Sequence, residues 1–279
     1  MSEIVLAAAV QLTCTSDAAA NWSSARLLID RAAAAGAAFV ATPENTNYLG
    51  PHQEKVRLAQ GLDGETCSRF AELAAKHGIH LLLGSFNERG VEEDGEIRRC
   101  NNTSVLFGPQ GDRLAVYRKI HLFDVDLPDG TKLLESETVE AGAEPVVAVA
   151  RFGKLGLSVC YDLRFPELYR AHADRGAHFL TVPSAFTPQT GKDHWEVLLR
   201  ARAIEGQAFV LAAAQCGHHS PDRSSHGHSM IIDPWGIVLA QAGDRPAVIE
   251  AECDLDELGR IRAAVPALAN RRLGGSSRS

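Results

Sequence analysis

The chain has no Cys-x-x-Cys pair, no run of Lys and Arg, and no apolar stretch approaching the roughly 20 residues that span a bilayer. Each absence removes a class of function. The six cysteines (Cys14, Cys67, Cys100, Cys160, Cys216, Cys253) are scattered through 279 residues, so a disulfide-stapled scaffold is excluded and a reducing cytoplasm is expected. A formal net charge of -7, without an aromatic-basic stripe, argues against nucleic acid and anionic membranes as partners and leaves small molecules. No basic region precedes the short apolar run at Ile4-Val5-Leu6, so no targeting segment is expected. No repeat or linker interrupts the chain. A single domain over residues 1–272 is predicted, followed by a flexible tail at 273–279.

What is present is a 45% hydrophobic composition, enough for a substantial α/β core. Strands are predicted at Ile4–Leu12, Phe39–Thr42, Ile79–Phe86, Leu155–Val159, Phe179–Val182 and Phe209–Ala213. Helices are predicted from about Asn21 to Gly36, at Ser68–His77 before Gly78, from Pro166, near His194–Glu205 and after Asp254. That alternation implies parallel pairing. Thr103–Phe107 and Leu114–Tyr117 flank Gly108-Pro109-Gln110-Gly111-Asp112 and read as an antiparallel hairpin, so the sheet should be mixed. Asp233-Pro234-Trp235-Gly236 is a turn between Met230–Ile232 and Ile237–Leu239.

Three chemically capable residues fall at predicted element ends, where α/β folds place their chemistry: Glu44, Lys119 and Cys160. Cys160 follows an apolar strand and precedes a helix, so a turn exposes its sulfur and nearby amides favour the thiolate. Standing alone it reads more simply as a small buried hydrophobe. Thr42-Pro43-Glu44, Tyr117-Arg118-Lys119-Ile120-His121 and Val159-Cys160-Tyr161-Asp162-Leu163-Arg164-Phe165-Pro166-Glu167 together resemble the nitrilase, or carbon–nitrogen hydrolase, superfamily with its Glu-Lys-Cys triad. The resemblance spans about residues 4 to 272. It implies a four-layer α-β-β-α sandwich with mixed sheets, no cofactor, and at least a homodimer, for which the helices starting near Pro166 and around Trp195–Ala203 are interface candidates.

The chemistry accounts for these residue types. A thiol is mostly protonated at neutral pH, so Cys160 needs a base, which Glu44 supplies. Lys119 and the Tyr161 backbone N–H would stabilise the oxyanion formed on an attacked carbonyl. The resemblance adds Glu135, in Leu134-Glu135-Ser136-Glu137, to orient Lys119 and the substrate amide.

Tyr161-Asp162 after the nucleophile resembles the amidase side of the superfamily, so an amide is expected rather than a nitrile. Arg164 fits a bidentate carboxylate clamp or an ion pair with Asp162 or Glu167. The stretch Pro183–Gly191 followed by His194-Trp195-Glu196 resembles the substrate wall of the Nit branch. There Thr190 would donate a hydroxyl hydrogen bond to a substrate carboxylate or cap a loop. Ala212–Gly217 and Ser225–Met230 narrow the resemblance to enzymes that cleave the ω-amide left when glutathione loses its amino group, giving 2-oxoglutarate and cysteinylglycine. Hydrolysis of 2-oxoglutaramate or of an N-carbamoyl compound is the neighbouring expectation, and a non-catalytic binding scaffold the one from another class.

Cys216, His218, His219, His226 and His228 form the one cluster of potential metal ligands, with His226 and His228 readable as one strand face. Their spacing fits no zinc-finger pattern, and no metal is expected. Trp22, Trp195 and Trp235 read as core or interface anchors.

Overall fold

The structure is a computed structural model that describes residues 4–92, 96–126 and 132–273. The predicted tail, apart from Leu273, lies outside the described residues. The chain runs β1 (Ile4–Gln11), α1 (Ala18–Ala34), β2 (Phe39–Ala41), α2 (His52–Arg57), α3 (Glu65–His77), β3 (His80–Arg89), β4 (Cys100–Phe107), β5 (Arg113–Arg118), β6 (Asp124–Asp126) and β7 (Lys132–Leu134). After a 3-10 turn at Glu135–Glu137 come β8 (Val139–Glu140), β9 (Val147–Ala150), β10 (Gly153–Leu157), a second 3-10 turn at Cys160–Arg164, α4 (Pro166–Asp174) and β11 (Phe179–Thr181). The rest comprises α5 (Pro188–Gly206), β12 (Phe209–Ala212), β13 (Cys216–Ser220), β14 (Arg223–His226), β15 (Met230–Ile232), β16 (Val238–Gln241), β17 (Ala247–Asp254) and α6 (Leu255–Ala264).

Two mixed sheets carry the fold. One is ordered β17-β1-β2-β3-β4-β5, with β8 beside β4, and the other β16-β15-β12-β11-β10-β9. Their centres, β1-β2-β3 and β10-β11-β12, are parallel, and antiparallel partners close the edges. Period-two alternation explains the layering. In β1, Ala7 and Ala9 face the second sheet, where they share a core with Leu155, Phe179 and Phe209. Ala8 and Val10 face the opposite way, onto Leu28 and Ile29 of α1 and Phe70 and Leu73 of α3. Leu168 and Tyr169 of α4 and Trp195 and Leu199 of α5 cover the outside of the second sheet. This is the four-layer α-β-β-α sandwich expected from the resemblance.

Local chemistry sets the element ends and corrects several predicted ones. The Asp17 carboxylate caps α1 by accepting from the Ala19 and Ala20 amides, so that helix begins three residues before Asn21. Gly78, at φ 64°, closes α3 as predicted. α5 starts at Pro188, its φ already helical, so Thr190 lies in the first turn rather than in a loop. β14 stops at His226 because Gly227 and His228 take φ 78° and 57°, which removes the expected strand face shared by His226 and His228. Trp195 is a core residue, whereas Trp235 is 56% exposed.

Buried histidines make this packing sensitive to acid. His172 donates its Nε2–H to the Leu157 carbonyl, and His219 bridges the Cys14 carbonyl and Ser225. Burial, before any other influence, pushes each down to about 4. Both are neutral in the folded protein while an unfolded chain binds their protons below about 6.5, so stability is full above that pH and falls toward pH 4. We predict a loss of about 3 kcal/mol per histidine across that window. Urea unfolding from pH 7 to 4 checks this, with a shallower acid limb expected in His172→Gln.

Candidate active site

Glu44, Lys119 and Cys160 follow β2, β5 and β10 respectively, and all three line one cavity of about 330 Å³ together with Glu135. Two sheets must therefore place their loops against each other, and Gly84 in β3 makes this possible. A Cβ there would stand 1.8 Å from the Thr42 carbonyl oxygen and 2.7 Å from Pro183 Cβ. Only glycine fits between the loop that carries Glu44 and the loop that receives the nucleophile. The Cys160 amide donates to the Pro183 carbonyl at 2.8 Å, which completes that junction.

Cys160 adopts φ 50°, an unfavourable conformation for a residue with a side chain and the mark of a sharp nucleophile turn. The helix expected immediately after it is a 3-10 turn, and α4 begins only at Pro166. Asp162 holds the turn. Its fully buried carboxylate accepts from Tyr117 Oη at 2.7 Å, the Val159 amide at 2.8 Å, the His121 amide at 3.0 Å, and contacts His121 Nδ1 at 2.7 Å. One side chain thus ties the nucleophile turn to both flanks of Lys119. Arg118 next to it is clamped by Glu88 through two hydrogen bonds of 2.7 and 2.6 Å.

The Lys119 ammonium is 1% exposed and donates to Glu44 Oε1 at 3.0 Å and Glu135 Oε2 at 2.8 Å. Glu135 also accepts from the Phe123 amide at 2.7 Å. Asn102, fully buried in β4, bridges the carboxylates by donating Nδ2 to Glu44 Oε1 at 2.8 Å and Glu135 Oε1 at 3.2 Å. Burial opposes the ammonium, but Glu135 and Glu44 outweigh it and hold Lys119 well above the usual lysine range. Burial likewise opposes Glu135 ionisation, yet Lys119, then Lys55, hold it at about 2. Burial and then the Glu44 charge push the Cys160 thiol well up, with Lys119 pulling the other way. The resting sulfur is therefore a thiol beside a carboxylate and an ammonium. Moving its proton to Glu44 leaves the total charge of the buried cluster unchanged, which is what a water-poor site requires.

Arg164 and Thr190 line a small adjoining recess that shares Phe123, Cys160, Ala185 and Thr187 with the main cavity. The Arg164 guanidinium lies over the Tyr161 and Phe186 rings and contacts His194 Nδ1 at 3.2 Å, and Thr190 Oγ1 is 2.8 Å from Thr187 Oγ1. Asp162, with its donors supplied elsewhere, is not an Arg164 partner. The histidine cluster is divided among separate partners: His219 and His218 bond Ser225 and Ser224, His228 pairs with Asp244 at 3.1 Å while its ring lies 4.5 Å from that of His226, and Cys216 contacts Thr13. Among the described residues, no three His, Cys, Asp or Glu side chains are placed to hold a metal. Sequence reasoning missed Asn102, which lies in the polar half of β4 beside Asn101, Thr103 and Ser104 and carried no distinguishing signal. It also missed the cavity-wall residues His52, Lys55 and Arg223, which carried no recognisable pattern.

A sandwich of two mixed sheets with a cysteine, a lysine and two glutamates at their joined rim defines a hydrolase of the nitrilase type. The chain belongs to the carbon-nitrogen hydrolase family, whose sequence profile matches residues 6–263. It is 46% identical over 268 residues to a deaminated glutathione amidase of Synechocystis sp., covering 95% of this chain and 97% of that protein. The crystal structure of Caenorhabditis elegans NitFhit superimposes with a TM-score of 0.90 at 41% identity, over 97% of this chain and 66% of that one. Saccharomyces cerevisiae Nit3, a member of branch 10 of the nitrilase superfamily, gives 0.86 at 31% identity over 98% of both chains. The protein is thus an enzyme, a carbon–nitrogen hydrolase that acts on amides.

Proposed function

We propose that this enzyme hydrolyses deaminated glutathione at its ω-amide, releasing cysteinylglycine and 2-oxoglutarate, with Cys160 as nucleophile, Glu44 as base and acid, and Lys119 with the Tyr161 N–H as oxyanion stabilisers. The observation that carries the reading is the buried Glu44–Lys119–Glu135 network beside the Cys160 thiol in one cavity. Glu44 takes the thiol proton as sulfur bonds to the amide carbon, and the carbonyl oxygen becomes an oxyanion facing the ammonium. The Cys160 amide is already engaged by Pro183, so the next amide, that of Tyr161, is the one to assign to the oxyanion. Collapse breaks the C–N bond, Glu44 protonates the departing amine, and a thioester remains. Water, deprotonated by Glu44, then attacks the thioester, and the thiol is restored as the acid leaves. Glu135 keeps Lys119 charged and aimed throughout. Arg164 and Thr190 take the 2-oxo acid carboxylate.

Product analysis separates the substrates. Incubation with deaminated glutathione, 2-oxoglutaramate and an N-carbamoyl amino acid is expected to give fastest release of cysteinylglycine. Faster turnover of 2-oxoglutaramate would overturn the substrate assignment and leave the chemistry standing.

The same reading includes a single domain over residues 1–272, a cytoplasmic location and a homodimer or larger homo-oligomer. Six free thiols, the nucleophile among them, favour a reducing compartment, and no described helix is long and apolar enough to cross a membrane. The dimer is supported by exposed Val197 and Ile204, seven residues apart on one face of α5. Light scattering at micromolar concentration is expected to give at least twice the 30.0 kDa chain mass, and a monomer would contradict it.

A further inference from the structure

The cavity wall carries two cations that the chemistry above leaves unused. Lys55 sits on the short helix α2, is 8% exposed and lines the same cavity as Cys160. Among the described residues its ammonium makes no ion pair and no hydrogen bond, whereas the Arg57 guanidinium, two positions on, is held by Glu54 at 2.6 Å. The Lys55 charge acts on Glu135, but no described carboxylate pairs with it directly, and a buried ammonium so placed is costly unless something that visits the site supplies the contact. Arg223, half-buried at the start of β14, lines the cavity from another element and is likewise without an ion pair among the described residues. The two cations act on one place: after burial, first Arg223 and then Lys55 push His52 toward its neutral form. Asp222 adds one carboxylate to this wall but is exposed, and Glu135 is already filled by Lys119, Asn102 and the Phe123 amide.

The nucleophile stands where this cavity meets the recess holding Arg164 and Thr190. An amide bound at Cys160 has two halves, an acyl half and a leaving amine. The recess, at about 10 Å³, admits only the tip of a substrate, and the 330 Å³ cavity has to receive the amine side. We propose that Lys55 and Arg223 form an anion subsite for a carboxylate on the leaving amine, which for deaminated glutathione is the glycine carboxylate of the departing dipeptide. The inference rests on the substrate reading given above and extends it: the enzyme grips a dianionic substrate at both ends and selects for amides whose amine half ends in a carboxylate.

Three substrates test this with the full chain: deaminated glutathione, its analogue with the glycine carboxylate converted to a carboxamide, and 2-oxoglutaramate. In the wild type, the carboxamide is expected to lower kcat/KM by roughly 10- to 100-fold, mainly through KM, the worth of a charge-assisted contact. Lys55→Met and Arg223→Ala should each lose more on deaminated glutathione than on the other two substrates, by about tenfold. Lys55→Arg should regain part of that loss. A merely structural role would depress all three substrates alike, and that result, or equal wild-type turnover of the acid and its carboxamide, overturns the subsite while leaving the substrate reading intact. Wild-type turnover of 2-oxoglutaramate without any cleavage of deaminated glutathione overturns both.

Discussion

Cys160→Ala is expected to reduce amide turnover below about one per cent of wild type, with Glu44→Gln and Lys119→Ala falling to the same level. In the proposed mechanism the three losses have different causes. Cys160→Ala removes the atom that bonds to the substrate, in a position whose φ of 50° the rest of the site already enforces. Glu44→Gln keeps the shape but cannot take a proton, so sulfur stays a thiol whose ionisation burial already opposes. Lys119→Ala removes the ammonium that faces the oxyanion and leaves Glu44 and Glu135 as two buried carboxylates bridged only by Asn102. Its loss is therefore to be compared with its melting temperature, since breaking a buried ion network costs about 3–5 kcal/mol. Ordinary activity in any one of the three variants would break the assignment of roles.

Asp162→Ala should have the largest effect on stability. The carboxylate is fully buried and gathers the Tyr117 hydroxyl, the Val159 amide and the His121 amide and ring, all within 3.0 Å. Removing it strands these donors between the two sheets, a loss of about 3–5 kcal/mol by analogy with a broken buried charge network. The midpoint of thermal unfolding is expected to fall on the order of 10 °C. Asp162→Asn should lose less, because its amide retains one accepting oxygen. Activity should fall in both, since the same contacts set the nucleophile turn against Lys119. A wild-type melting curve for Asp162→Ala would show that the clamp is not what holds the turn.

Much of this arrangement was readable before any coordinates because it rests on local rules. Apolar runs bounded by Gly and Pro fixed the parallel centres of both sheets, and Gly78 marked the end of α3 through the left-handed turn it supplies. Glu44, Lys119 and Cys160 were legible because each follows a predicted strand and stands in a motif resembling the nitrilase superfamily. Less legible were features decided by partners distant in sequence. β17 alternates Val248, Glu250 and Glu252 with other residues and becomes a strand by pairing with β1, more than 230 residues away. Apart from Cys216 and Arg223, β13 and β14 are built of Gly, His and Ser, which carry no strand pattern of their own. Asp162 read as a marker of substrate class, and only the meeting of Tyr117, Val159 and His121 around it reveals a clamp. Lys55 shows the same limit: on a six-residue helix it looks like a solvated charge, and only tertiary packing buries it at the cavity wall.

In the proposed mechanism the Cys160 sulfur carries the acyl half of the substrate between two half-reactions. Rapid acid quench of wild-type protein in the first turnover with deaminated glutathione, followed by intact-mass and peptide analysis, tests it directly. A transient 2-oxoglutaryl adduct is expected on the Cys160 peptide, absent from Cys160→Ala. Turnover without any adduct, continuing in Cys160→Ala, would contradict it.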